Sequence, residues 1–335
     1  MNEQYMIIEY KDKKKRAINI SPKYSFNSGS GFYVNNKLKT TFQVNDKFQK
    51  GDILAYHEKF FHKGTDGVVR YCMGPIAKVA FTDTYSTYED AGLITRKMSK
   101  RLGTTLTMCQ QIKISASDQI DQIVKVGDVV EIGDPLVTFG LGDTGDKSVD
   151  KFLQAFGNNS NDFKRTKNAK SAGTVVAVKM YTNKALTSLS PSLFELLNEH
   201  FKENKKRRKI LDKYDSSSSP YKLDTLYDYP VEPIKASSIK GINTDVLIEV
   251  YIEHADDVSV GDKLAVYAAS KQIISEVIPE GLEPFSESNP DEEISVFVSS
   301  TSVLRRMIPS IMIIGGANKV LINLKEKIRE LYNNS

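Results

Sequence analysis

Hydrophobic and polar positions alternate along most of this chain in short runs that turn at glycine–aspartate pairs. Residues 40–57, TTFQVNDKFQKGDILAYH, alternate and then turn at Gly51-Asp52. Residues 123–140, IVKVGDVVEIGDPLVTFG, repeat the rhythm with Gly127-Asp128 and Gly133-Asp134 as turn residues. β-Branched runs over 172–181 and 245–266 read as further strands. Recurrent short strands joined in this way predict small β-barrels or sandwiches and argue against a parallel α/β sheet.

Helical spacing interrupts the pattern in three places. Residues 148–157, SVDKFLQAFG, put Phe152, Leu153 and Phe156 on one face and stop at Gly157. A longer helix begins with Ser190 as its cap and Pro191 in its first turn, and repeats Leu193, Leu197 and Phe201. Residues 215–222, DSSSSPYK, break it. A last helix, about 317–332, follows Gly315-Gly316 and aligns Val320, Leu324, Ile328 and Leu331, so it is expected to dock on something. The fold class is mainly β with α insertions, that is, α+β.

At 335 residues the chain supports two or three compact units. No apolar run reaches the length of a membrane span, since IPSIMIIGG is too short, and the start, MNEQYMIIEYKDKKKR, lacks a secretory apolar core. A cytoplasmic protein without membrane contact is expected. Only Cys72 and Cys109 are present, without a CxxC pair, which argues against a zinc ribbon or disulfide framework. His57, His62 and Cys72 match no metal-ligand spacing and read as surface residues, so no metal site is expected on the chain itself.

Net charge is only +4, but basic residues cluster at 11–16 and at 202–213, KENKKRRKILDK, where Lys205, Lys206, Arg207 and Arg208 stand together. Such a run is either a solvated helix face or a contact with a phosphate backbone. Nucleotide-binding glycine loops, HExxH and GxSxG are absent. VAVKM (176–180) resembles the lysine strand of biotinyl and lipoyl carrier domains. There the modified lysine sits at a hairpin tip, whereas Lys179 follows TVVAV with no turn residue, so modification is not expected.

One stretch poses a sharper question. VGDKLAVYAASK (260–271) sets Lys263 and Lys271 around a mostly apolar run. Each lysine could close a strand by reaching into water, or both could face one polyanion.

Several segments, in order, resemble the second half of the β subunit of multisubunit RNA polymerases. CMGPIAKVAFTDTYSTYEDAGLITRKM resembles that family's stretch ending N-F-E-D-(S/A)-I-x-I-S, with Tyr88-Glu89-Asp90 in place of Phe-Glu-Asp. VGDVVEIGDPLVTF resembles G-x-x-V-x-x-G-D-x-L-V-G-K, and VDKFLQAFG resembles the flap-tip helix E-E-K-L-L-R-A-I-F-G. DVLIEVYIEHADDVSVGDKLA resembles V-K-V-Y-L-A-x-x-R-x-x-x-x-G-D-K-M-A, with Lys271 at the family's second lysine position. ISEVIPEGLEPF keeps the same register, and SVFVSSTSVLRRMIPS aligns Arg306 with the family arginine. The likeness covers roughly residues 40–315.

The resemblance implies a double-psi β-barrel assembled from segments that flank a flap domain with barrel-sandwich-like strands. Its expected divisions are 1–91 for N-terminal strands and the first part of the barrel, 92–244 for the flap-like domain, 245–310 for the second part of the barrel, and 311–335 for the C-terminal helix. It implies a subunit of a DNA-directed RNA polymerase, a nucleotidyltransferase active only in the complex. Lys263, Lys271, Asp90 and Glu89 would then serve catalysis beside the RNA 3′ end. Arg306 would bind the phosphates of the incoming nucleoside triphosphate. Phe152 and Phe156 would meet a sigma-like specificity factor, and Lys205, Lys206, Arg207 and Arg208 would contact nucleic acid.

Mg²⁺ would be held mainly by the β′ subunit, whose N-A-D-F-D-G-D motif is absent here. Partners would be the rest of β, β′ or its fragments, template DNA, RNA and nucleoside triphosphates. Missing N-terminal lobes suggest half of a split β subunit, similar to giant bacteriophage polymerases and then working in host-cell cytoplasm, although a truncated piece of a longer β subunit would look the same. The family loop G-R-H-G-N between the lysines is replaced by residues 266–270, VYAAS. The alternative is a non-catalytic β-barrel nucleic-acid-binding or carrier module.

Overall fold

The computed structural model describes residues 5–64, 66–72, 74–141, 164–212, 244–266, 270–287, 289–307 and 309–333. The chain divides into two compact units, each made of discontinuous segments: Met1–Cys72 with Thr104–Ala255, and Met73–Gly103 with Asp256–Ser335.

The glycine–aspartate pairs share one geometry. At each of Gly51, Gly127, Gly133 and Gly261, φ lies between 97° and 103°. The aspartate that follows accepts a hydrogen bond from the backbone N–H three residues earlier: Gln49 to Asp52 at 2.7 Å, Lys125 to Asp128 at 2.8 Å, Glu131 to Asp134 at 2.7 Å and Ser259 to Asp262 at 2.8 Å. Its own N–H returns to the carbonyl of that same residue, which closes a turn needing φ > 0 at its third position. Asn45-Asp46 builds a fifth copy, with φ of 74° at the asparagine and Gln43 N–H donating to Asp46 at 2.7 Å. Two such turns close together explain why residues 42–50 form no strand despite their alternation. Only Leu38–Thr40 and Ala55–His57 pair around them.

These turns are expected to contribute measurably to stability. Asp262→Ala removes the hydrogen bonds that its carboxylate accepts from the Ser259 N–H and hydroxyl at an exposed turn and should cost about 1 kcal/mol. Gly261→Ala meets no atom within 4 Å, so its whole cost, about 1–2 kcal/mol, is backbone strain. Urea midpoints of the two variants measure this, and Gly261→Ala should have the lower one.

In the first unit a six-stranded sheet runs, in spatial order, Val129–Val130, Gly173–Thr182, Val246–Asp256, Thr104–Ile114, Phe32–Asn36, Lys23–Asn27. A three-stranded sheet, Asp118–Ile123, Pro135–Leu141 and Arg165–Asn168, accompanies it. Their shared core contains Leu136, Val175, Ile248 and Ile252. The helix Pro191–Asp212 adds Leu193, Leu197 and Phe201 to that core, as their spacing predicts. Ser190 stands at its start, but the hydroxyl donates to the Asp118 carbonyl at 2.6 Å. Ser192 Oγ accepts the Ile120 N–H at 2.9 Å, so the helix start is tied to a strand.

Lys179 lies buried inside Gly173–Thr182, its ammonium 5.3 Å from the Tyr251 ring centroid, and not at a hairpin tip. Cys109 lines the same region. Burial, with Glu249 nearby, pushes its thiol up to about 12. At pH 8 its thiolate fraction is then on the order of 10³-fold below that of an ordinary cysteine. Alkylation followed by peptide mass spectrometry should show Cys109 reacting correspondingly slowly in the native protein and normally in urea.

The second unit is built on a five-stranded sheet in the order Lys263–Val266, Ser270–Ile278, Ala91–Thr95, Val296–Val298, Val79–Phe81. Ala91–Thr95 runs parallel to Ser270–Ile278 and antiparallel to Val296–Val298, which in turn runs parallel to Val79–Phe81. Ile94, Met98, Val266, Ile274, Val296 and Val298 form one core cluster, and Leu93, Ile278 and Phe297 another. Thr95 caps the helix Arg96–Leu102 by accepting the Met98 N–H, and Ser299 caps Ser300–Arg305 by accepting that of Ser302.

The terminal helix differs from the sequence expectation. It runs Ser310–Asn333 and includes Gly315-Gly316. Val320, Leu324, Ile328 and Leu331 are exposed, and Ile311 is its one buried residue among those described. The helix overlies a cavity of about 1000 Å³ lined by Val79, Phe81, Leu264 and Val296 instead of packing down on the sheet. Its apolar row has no partner surface among the described residues.

Candidate functional site

Three separate segments of the second unit meet at one end of its sheet. The first is the loop before Ala91–Thr95. The fully buried Thr87 shapes it, its hydroxyl donating to the Thr82 carbonyl at 2.9 Å and accepting the Thr84 N–H at 2.7 Å. Ser86 Oγ donates to Glu276 at 2.9 Å, which anchors the loop to Ser270–Ile278. Its last turn closes from Ala91 N–H to the Tyr88 carbonyl and leaves Glu89 at φ 52°. The Asp90 carbonyl then accepts the Ile273 N–H at 2.7 Å, so the acidic pair is held against the sheet.

The second segment is the lysine hairpin. Lys263 pairs with Ile273 and Ala265 with Lys271, which places the two lysines diagonally on one face. That face is exposed, whereas Val266, Ser270, Gln272 and Ile274 point into the protein. Diagonal neighbours of this kind have Cα atoms roughly 7–8 Å apart, within reach of one polyanion. Neither lysine has an ion-pair partner among the described residues. Of the altered loop 266–270, residues 267–269 lie outside the described residues.

The third segment is the short helix Ser300–Arg305 with the residue that ends it. Arg306 Nη2 lies 2.6 Å from Asp90 Oδ1 and donates to the Lys271 carbonyl at 3.0 Å. Arg305 pairs with Glu89. Four residues predicted from separate motifs, Glu89, Asp90, Lys271 and Arg306, therefore come together, and Lys263 stands beside Lys271. Two acids, two arginines and two lysines leave the cluster with a local excess of positive charge.

Sequence reasoning missed three supports of this cluster. Arg305 is the neighbour of the predicted arginine, and the RR pair is its only signal. Asp83 accepts from Ser300 Oγ, and from Ser299 Oγ at 2.7 Å, and these hydroxyls hold its carboxyl below the usual range. It thereby fastens the start of the arginine helix. Gln272, 1% exposed, donates to Ser270 Oγ at 2.9 Å and Ser302 Oγ at 3.3 Å, which links the hairpin to the same helix.

Other predicted residues fall elsewhere. Lys205 and Lys206 are exposed on Pro191–Asp212 in the first unit, and the helix continues through Arg207 and Arg208, whose side chains lie outside the described set. Phe152, Phe156 and the expected helix 148–157 also lie outside the described residues. Glu89 and Asp90 are both engaged by arginines, and no group of three His, Cys, Asp or Glu side chains forms a metal site among the described residues.

Residues 76–313 match the family model RNA polymerase Rpb2, domain 6. The chain belongs to that family, a β-subunit-type domain of multisubunit DNA-directed RNA polymerase. Such polymerases are nucleotidyltransferase complexes, and their other subunits are the partners that membership implies. No curated protein matches the chain. The matched span contains all three segments of the cluster, while the strands Lys23–Asn27 and Phe32–Asn36 precede it. No described helix is long and apolar enough to cross a membrane.

Proposed function

We propose that this chain is the second half of a split β subunit, of the kind found in giant bacteriophage polymerases, and that it supplies the cationic wall of the nucleotide-addition site. The observation that carries the reading is the Arg306 guanidinium, bonded to both Asp90 and the Lys271 backbone within a family-matched span. In nucleotidyl transfer the RNA 3′-oxygen bonds to the α-phosphorus, the α–β phosphoanhydride bond breaks, and pyrophosphate leaves. Negative charge gathers on the phosphate oxygens throughout.

Lys263 and Lys271 face that charge from one rigid hairpin, as compact ammonium groups ready before the substrate arrives. Arg306 exchanges its Asp90 carboxylate for triphosphate oxygens, where its planar fork fits. Glu89 and Asp90 then border the substrate, and the Mg²⁺ chemistry belongs to β′. The two parallel pairings of the five-stranded sheet, formed by strands from both sides of the large insertion, support a double-psi barrel. In the same reading residues 92–244 form a flap, with Phe152 and Phe156 toward a sigma-like factor and Lys205, Lys206, Arg207 and Arg208 toward nucleic acid.

Affinity purification of the tagged chain from its native cells should recover the remainder of β and a subunit bearing the N-A-D-F-D-G-D motif. A monomer that recovers neither, from cells in which both are expressed, would overturn the reading.

A further inference from the structure

The first unit carries a second basic surface, far in sequence from the lysine hairpin. Beside the strand Thr104–Ile114, a cavity of about 660 Å³ is lined in part by aromatic and cationic side chains. Phe26 and Tyr33 face each other across the hairpin formed by Lys23–Asn27 and Phe32–Asn36, with ring centroids 4.8 Å apart. Phe26 is 53% exposed, and Tyr33 is held from behind by an edge contact with Tyr251 at 5.7 Å. Tyr33, tilted 49° to Phe26, buttresses it and leaves the Phe26 ring as the exposed stacking surface.

Three lysines border the same cavity: Lys113 on Thr104–Ile114, Lys167 on Arg165–Asn168, and Lys170 just beyond it. The segment bearing the last two is fixed in place. The buried Gln110 side chain donates to the Asn168 carbonyl at 2.8 Å and accepts the Lys170 N–H at 3.2 Å. Among the described residues Glu249 is the single carboxylate in the lining. Its oxygens already accept from Gln111 Nε2 at 3.0 Å and Tyr251 OH at 2.8 Å, so it forms a satisfied polar floor beneath the cations.

An exposed phenyl ring bordered by cations suits a ligand with exposed π-faces and regularly spaced anions. Duplexes hide their base faces; single strands present them. We infer that this surface binds single-stranded nucleic acid, with a base stacked on the exposed Phe26 ring and flanking phosphates on Lys113, Lys167 and Lys170. Both aromatic residues precede the family-matched span. The inference does not depend on the polymerase reading, because the full chain alone carries the site.

Fluorescence anisotropy of the full chain with labelled U12, dT12 and a 12-base-pair duplex tests it. Single strands should bind more tightly than the duplex. Phe26→Ala should weaken them about 10-fold, in the range of a lost base–aromatic stack, and Phe26→Tyr should restore binding. Lys167→Ala with Lys170→Ala should flatten the salt dependence by a log–log slope of about 1.4, at roughly 0.7 per phosphate contact. U12 and dT12 binding equally, or U12 binding more tightly, both support the shared chemistry and tell phosphate-and-stacking contact from a further 2′-hydroxyl contact. Duplex preference, or single-strand binding indifferent to both Phe26→Ala and the double lysine variant, would overturn it. That result, obtained while β and β′ partners still co-purify, would leave the polymerase reading standing.

Discussion

Lys271→Ala in a reconstituted polymerase is expected to slow nucleotide addition on the order of 10²–10³-fold while leaving assembly unchanged, the size of effect seen when one preorganised charge-stabilising donor is removed. The separation of the two effects follows from which atoms of Lys271 are used. Its side chain lies on the exposed face of the hairpin, so truncation leaves no cavity. Its backbone carbonyl, which accepts from Arg306, survives in alanine, so the arginine–aspartate arrangement stays in place. Arg306→Ala is different: it removes the pair with Asp90 and the hydrogen bond to Lys271 together. Single-turnover extension of an RNA primer at saturating triphosphate reads the first effect, and gel filtration of the complex reads assembly. Lys271→Ala extending RNA at the wild-type rate would remove the hairpin from the chemistry.

What could be read in advance follows from how local each feature is. The glycine–aspartate turns and the Leu193, Leu197, Phe201 stripe depend on residues within a few positions of one another, so the pattern states them directly. Lys263 and Lys271 share a face because an intact hairpin register places 263, 265, 271 and 273 on one side, again a local property. The contacts between Glu89 and Arg305 and between Asp90 and Arg306 span more than 200 positions, and no periodicity encodes them. Family register could align Arg306 and Asp90, but it could not show that they bond to each other or that Arg305 does the same with Glu89. Asp83 and Gln272 were invisible for a related reason. Their role is to position other residues, and a loop aspartate or a strand glutamine carries no sign of what it will hold. Residues 42–50 misled in the opposite way: apolar alternation is necessary for a strand, but two aspartate turns in ten residues take up the backbone donors a ladder needs.

Gly173→Ala is expected to be the most damaging single substitution in the first unit, costing more than about 3 kcal/mol and leaving little folded protein at 37 °C. Gly173 opens the strand Gly173–Thr182 at φ 149°, a conformation that side-chain-bearing residues rarely adopt. A Cβ there would lie 2.3 Å from the Glu253 carbonyl oxygen and 2.9 Å from its carbon, both backbone atoms of the neighbouring strand Val246–Asp256. Neither can swing aside as a side-chain tip would. Relief requires the two strands to part, yet their pairing runs from Thr174↔Glu253 to Thr182↔Val246 and carries Val175, Val178, Ile248 and Ile252 of the core. Gly261→Ala is the internal control, since it imposes a left-handed φ without any clash. If strain alone set the cost, the two variants would lose similar stability. Thermal unfolding followed by circular dichroism should instead place Gly173→Ala well below Gly261→Ala, and a Gly173→Ala protein as stable as the parent would show that these two strands do not pair as closely as described.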